Sequence, residues 1–374
     1  MNQRPRPALR SAGLTRSGPP VLTRTPGRAS SGWTASGPVL SLSLSLSLGL
    51  ALSGCGMLDE VGPSAAPPTP PAPIETATGG TIPLEDAIQR ANLLVKDGLV
   101  DAARVEFEKI ILSNPTIAAP YLGAGDIYRK KGDYKTAEER YAKAAEVEPS
   151  NFEAQYNHGL TLQLMDRLNE AVRSYLRALS IRPDDFYANL NLGTAYLQMS
   201  EPAQALPFAE KAVRIDGKSA AARTNLGAVY AAVDKHAAAI VEYQQAAELT
   251  ELSAPLLLNL AESLGKVQRY EEMVATLEQL VRTQPSAAAY ERLGSGKFRL
   301  RKYNDAEETF RKALDIDPNH YPALNGVGVC LLNKYVWSGS KDEVARDESF
   351  KMLRRSLALE PRQPRIVDLL SKYR

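Results

Sequence analysis

From residue 84 onward, a small residue returns at a fixed interval among the apolar positions. Ala91, Gly125, Gly159, Gly193, Gly227 and Ala261 stand 34 residues apart, and Gly294 follows after 33. A second marker keeps the same phase: Pro115, Pro149 and Pro183 are 34 apart, Pro285 lies three such intervals further on, and Pro318 follows. Gly217 and Glu251 occupy the two places where the proline is missing. Proline disfavours the helical region for the residue before it, so Glu148-Pro149 and Asp317-Pro318 each stop a helix. Each unit has apolar residues on more than one face and cannot bury them alone, so neighbouring units must stack. The pattern predicts an all-α chain with seven helix-pair units over residues 84–318.

Beyond them the register slips. Tyr321 to Leu332 reads as the first helix of an eighth unit with Gly328 at the small position, but Pro361 comes 43 residues after Pro318, nine late. The excess falls around residues 333–343, Tyr335 and Trp337 included, and is expected to lengthen the turn or to start the second helix early. Residues 319–361 are thus a degenerate eighth unit, and 362–374 hold a last amphipathic helix, Arg365 to Tyr373, covering the open end of the stack. Cys330 falls on the first helix of this unit, where a small core residue is expected.

The spacing and residue types resemble the tetratricopeptide repeat (TPR), a helix-turn-helix unit of 34 residues. With residue 84 as position one, the small residues above fall at position eight of the family pattern. Its position-twenty alanine matches Ala103, Ala137, Ala171, Ala205, Ala239 and Ala306, and its position-twenty-four aromatic matches Phe107, Tyr141, Tyr175, Tyr243 and Phe310. Ala144, Ala178, Ala212, Ala246 and Ala313 match the alanine at position twenty-seven. Ala209 replaces the aromatic of the fourth unit, and Met273, Leu277 and Leu280 make the sixth the poorest match, with looser or wider packing expected. The resemblance implies an α-solenoid, a right-handed superhelix of antiparallel pairs, in which the first helices line a groove. Small residues at positions eight and twenty let paired helices approach closely, and the aromatic is expected to fill the space opened toward the next unit.

The first 83 residues differ in kind, holding 13 of the 25 prolines. Residues 1–54 read as a lipoprotein signal peptide. Arg4, Arg6, Arg10, Arg16, Arg24 and Arg28 precede the apolar stretch Val39–Leu52, which is too short and too serine-rich to span a bilayer. Leu52-Ser53-Gly54-Cys55 resembles the lipobox of bacterial lipoproteins, implying lipid attachment at Cys55, which would become the first residue. Gly56, where an aspartate would favour inner-membrane retention, points to the outer membrane, facing the periplasm. A start at Met57 would instead leave a cytoplasmic protein. Residues 55–82, with Pro63, Pro67, Pro68, Pro70, Pro71 and Pro73 among Ala, Ser and Thr, form a tether with a polyproline II reach of roughly 80 Å.

Without the six leader arginines, the formal charge of +2 becomes 39 basic against 43 acidic residues, with no basic stripe. Nucleic-acid binding is therefore not expected. Two cysteines and three histidines, at 158, 236 and 320, show no metal-ligand spacing, and no cofactor is called for. With no Gly-x-Ser-x-Gly elbow, phosphate loop or His-Glu-x-x-His helix, the chain reads as a non-enzyme.

The groove positions carry the functional signal. Position six holds Asn157, Asn191, Asn225 and Asn259 in four successive units. A carboxamide donates and accepts, so such a ladder suits the backbone of an extended peptide of roughly ten residues, with first helices about 10 Å apart. The same residue type also suits capping or bridging within the stack. Around the ladder stand the uncharged Tyr156, Leu160, Gln163, Tyr187, Leu190, Thr194, Leu197, Gln198 and Thr224, which favour an uncharged or mixed guest. His158, at a position normally in the core, is read as structural. Lipobox plus TPR array is similar to the plan of envelope lipoproteins in pilus assembly, secretin assembly and outer-membrane protein insertion. The expected function is a membrane-anchored adaptor holding a partner polypeptide; the alternative is a peptidoglycan- or glycan-binding lipoprotein. The sequence leaves the oligomeric state open.

Overall fold

The computed structural model describes residues 74–75 and 81–373. The stretch read as a signal peptide, Cys55 and most of the expected tether lie outside the described residues. Where the tether was expected to continue, β1 (Ile74–Glu75) and β2 (Thr81–Ile82) form a two-residue antiparallel pair.

Seventeen helices follow among the described residues. Paired as first (A) and second (B) helices, they are α1 (Leu84–Lys96) and α2 (Val100–Ser113), α3 (Ala118–Lys130) and α4 (Tyr134–Val147), and α5 (Phe152–Leu164) and α6 (Leu168–Ile181). Next come α7 (Phe186–Gln198) and α8 (Pro202–Ile215), α9 (Ala220–Ala232) and α10 (His236–Leu249), α11 (Ala254–Lys266) and α12 (Tyr270–Thr283), and α13 (Ala287–Arg299) and α14 (Tyr303–Ile316). The eighth pair is α15 (Tyr321–Trp337) and α16 (Glu343–Leu359), closed by α17 (Pro364–Lys372). In the first seven pairs every A helix has 13 residues and every B helix 14.

That regularity comes from one repeated stop. Gly98, Gly132, Asp166, Ser200, Asp234, Gln268 and Arg301, one per A–B turn, have φ between 58° and 81°. The next residue donates its N–H five residues back, as from Arg167 to the Leu162 carbonyl at 2.9 Å, the Schellman closure of a helix end. Only the first two positions are glycine; a side chain in the left-handed region costs roughly 1–2 kcal/mol. Several A helices start with a capped amide: Asn151, Asp185, Ser219 and Ser286 accept from the N–H three residues on.

Within a pair, the position-eight glycine sets the approach. The rings of Tyr141, Tyr175, Tyr243 and Phe310 lie on Gly125, Gly159, Gly227 and Gly294 of their own units, where an added Cβ would come within 2.7–2.9 Å. The aromatic thus packs chiefly inside its own unit, whereas the sequence placed it toward the next. Phe310 does both, since Gly326 on the following A helix also meets its ring, and Phe107, whose own unit has Ala91 at position eight, packs on Gly123 of the following A helix, as the sequence led one to expect. The sparsest pairs are α1–α2 and α11–α12, which carry Ala91 and Ala261 in place of that glycine and Ile110 and Leu280 in place of the alanine at position twenty-seven. A methyl on one helix and a larger side chain on the other hold the axes apart. The sixth unit is therefore wider, as expected, and α11 also meets α13 less than other consecutive A helices meet each other.

Consecutive A helices otherwise touch along the array, which puts them on the inside of its curve. The most extensive core cluster runs from Phe152 to Val229 and underlies the A helices that carry the first three ladder asparagines. In the eighth unit both helices grow to 17 residues and the turn between them, residues 338–342, is longer than in the other units, as expected; nothing in Asn333-Lys-Tyr-Val-Trp337 breaks a helix before Ser338 and Gly339 turn the chain. α17 closes the end with Ile366 buried, and Gln363, just before it, donates to the Ser356 hydroxyl and accepts from Asn325. No described helix is long and apolar enough to cross a membrane.

Candidate functional site

The asparagines at 157, 191, 225 and 259 fall on α5, α7, α9 and α11, all half-buried on the A-helix face. Two bridge to the preceding A helix. Asn191 Nδ2 donates to the Tyr156 hydroxyl at 3.0 Å, and Asn225 Nδ2 donates to Thr194 Oγ1, which itself donates to the Leu190 carbonyl. The Asn225 carboxamide oxygen is buried with no partner among the described residues. Asn157 and Asn259 make no side-chain hydrogen bond there. The ladder thus divides between stack bridges and unpaired amides.

Around it the surface is polar and uncharged. The Tyr175 hydroxyl donates to Gln163 Oε1 at 2.8 Å, and Gln163 Nε2 donates to Gln198 Oε1 at 2.8 Å, a chain from α6 across α5 to α7. Tyr156 stacks on Phe152 at 5.8 Å, and burial, with Asp185 adding to it, raises its phenol above the ordinary tyrosine range. Tyr187 is 62% exposed and packs edge-on against Phe186. Arg223, the cation of α9, is bound to Glu242 at 2.8 Å and to the Gly217 carbonyl at 2.7 Å, so it presents no free charge to a guest.

The sequence gives no sign of the network around His158. Its Nε2 lies 3.2 Å from Glu138 Oε1 on α4, and its Nδ1 lies 3.2 Å from Ser174 Oγ on α6. Arg167 reaches the same Glu138 at 3.3 Å and Glu170 at 2.7 Å. Serine, histidine and glutamate stand in the order of a hydrolytic triad, but Ser174 is 2% exposed and no substrate carbonyl can reach it. The arrangement ties three helices together. Burial pushes the imidazole below its usual range, outweighing the upward pull of Glu138. The unfolded chain therefore takes up this proton first as pH falls. The stability from neutral His158 is complete above about pH 6.5 and declines below it. The urea midpoint is expected to drop between pH 7 and pH 5.5, and His158→Gln should flatten that slope; equal slopes would remove the assignment.

Cys330 is buried, and its thiol is pushed up to about 12, chiefly by burial. It sits in the core, where the sequence placed it. Trp337 is 73% exposed and stands edge-on to Tyr303 at 5.5 Å. Among the described residues no three His, Cys, Asp or Glu converge as metal ligands.

Residues 125–166 and 164–200 match a family model described as TPR repeat, and residues 190–254 and 287–320 match tetratricopeptide repeat models. No curated protein matches the sequence. Among solved structures, pilF of Pseudomonas aeruginosa is similar at 23% identity, covering 54% of this chain and 92% of its own, with a TM-score of 0.47. A tetratricopeptide repeat protein of Parabacteroides merdae is similar at 18% identity, covering 66% and 98%, with a TM-score of 0.47. YrrB, a TPR protein with an unusual peptide-binding site, is similar at 19% identity, covering 52% and 96%, with a TM-score of 0.43. The chain carries tetratricopeptide repeats, stacked as a TPR solenoid.

Proposed function

We propose that the inner face of this solenoid captures an extended, largely uncharged segment of a partner polypeptide, and that lipid on Cys55 holds the array at a membrane of the bacterial envelope. The observation that carries the first part is the unfinished hydrogen bonding along the A helices: the half-buried carboxamides of Asn157 and Asn259 make no side-chain hydrogen bond among the described residues. A peptide backbone offers an N–H and a carbonyl at every residue and satisfies such groups whatever its side chains. Tyr187 adds an exposed ring beside Leu190. The lack of free cations on α5, α7 and α9 disfavours guests held by a carboxylate.

Random twelve-residue peptides displayed against the full chain are expected to yield binders with few charges. The pair Asn157→Ala and Tyr187→Ala should weaken the best of them at least tenfold with helix content unchanged, since losing about 1.4 kcal/mol from the two contacts suffices. Equal affinity would sink the groove. For the anchor, the native N-terminal mass in a bacterial host should show an acylated Cys55, and Cys55→Ser should move the protein to the soluble fraction. An unmodified N-terminus would sink that half alone.

A further inference from the structure

Two units show how a position-twenty-four tyrosine is satisfied. The Tyr175 hydroxyl donates to Gln163, twelfth residue of its own A helix, and the Tyr141 hydroxyl donates to Asp126 at 2.7 Å and accepts from Arg129, the twelfth residue there, at 3.2 Å. In the fifth unit the twelfth residue is Ala231, with Ala228 and Ala232 beside it on α9. Tyr243 keeps its ring on Gly227 and is 1% exposed, yet its hydroxyl has no partner among the described residues. It borders a cavity of about 320 Å³ between α9, α10 and α11. Ser263, the Asn259 amide and the buried His236 Nδ1, the last two without a partner among the described residues, border the same cavity. Burial, with Glu262 adding to it, holds the Tyr243 phenol above the ordinary range, so it stays protonated and able to donate.

We infer that this cavity is a specificity pocket for the carboxamide side chain of a glutamine or asparagine in the captured segment, an assignment that rests on the groove reading above. A phenol, a carboxamide and a hydroxyl each donate and accept, and a primary amide answers them with two donors and one acceptor. An apolar side chain would leave buried polar groups unpaired, and a charged one would lose its hydration. The rim carries both signs of charge: Lys266, an exposed Asp234, and Glu262, which is engaged by Arg292 at 3.2 Å. The structure also shows the complementary contact within the chain: a glutamine amide oxygen accepts from the corresponding tyrosine in the third unit. The guest supplies from outside what Gln163 supplies from within.

The test displays the same random peptides against the full chain, Tyr243→Phe and Ala231→Gln. Tyr243→Phe keeps the ring on Gly227 and removes only the hydroxyl; Ala231→Gln places the internal partner in the cavity. Wild-type binders should carry Gln or Asn at one fixed position, and both variants should lose that preference. Replacing that residue by leucine in the best peptide should weaken wild-type binding at least tenfold and binding to Ala231→Gln less than twofold. Binders without a fixed amide, or a preference surviving in both variants, overturn the pocket and leave the groove standing. If the wild type selects no peptide at all, the groove falls and the pocket with it.

Discussion

Tyr175→Ala is expected to remove about 3–5 kcal/mol of stability, the range for deleting a buried aromatic whose surroundings cannot collapse. The side chain is fully buried, with its ring on Gly159, tilted against Tyr156 at 6.0 Å and hydrogen-bonded to Gln163. Both flanking helices are already held by other contacts, so the void persists. Tyr175→Phe keeps the volume and should lose about 1 kcal/mol, the worth of one hydrogen bond. Because each unit touches only its neighbours, the loss should appear in urea as an earlier transition of the third and fourth units. Tyr156 and Asn191 rest on this ring, so peptide binding should fall with it. A single transition with an unchanged midpoint would show that the ring does not hold the seam.

Gly326→Ala is expected to destabilise the far end by about 1 kcal/mol, from an overpacking cost of about 1–3 kcal/mol set against a helix-propensity gain of about 1 kcal/mol. The Phe310 ring is pinched between two backbones: a Cβ on Gly326 would sit 2.5 Å from it, and one on its other side at Gly294 would sit 2.7 Å away. A ring pressed from one helix has no room to yield toward the other. Where the neighbour can retreat, the same substitution would be neutral or stabilising. A double-mutant cycle with Phe310→Ala checks this. Without the ring, Gly326→Ala should cost nothing, and a cost that persists would place the strain elsewhere.

The period was legible because two independent markers share it. Proline and glycine act on the backbone whatever the tertiary context, so helix pairs, stops and register could be read before any contact was known. What the side chains reach was less visible. The aromatic reaches the gap between units in Phe107 and Phe310, but Tyr141, Tyr175 and Tyr243 sit on the position-eight glycine of their own A helix, and no spacing distinguishes a ring leaning forward from one leaning back. The nine extra residues do lengthen the turn, but most extend the two helices, since Asn333 to Trp337 contains no breaker and Ser338-Gly339 does, and the second helix does not start early. Position six was seen as a column of asparagines. That Asn191 and Asn225 bridge to Tyr156 and Thr194 depends on neighbouring helices and could not be read from one register. The Tyr243 cavity did leave a signal, Ala231 where Gln163 and Arg129 stand in earlier units, but it gains meaning only once the tyrosine hydroxyl is known to need that partner.

The sixth pair sits at the boundary between two kinds of surface. Up to α11 the array carries the asparagine column and the Tyr243 cavity; beyond it lie the lengthened hairpin of α15 and α16 and its projecting indole. With α11 loosely seated on α12 and barely meeting α13, bending is expected to concentrate at that joint. A long ligand gripped on one side and touched on the other would then be accommodated by flexing there, while the gripping surface keeps its shape.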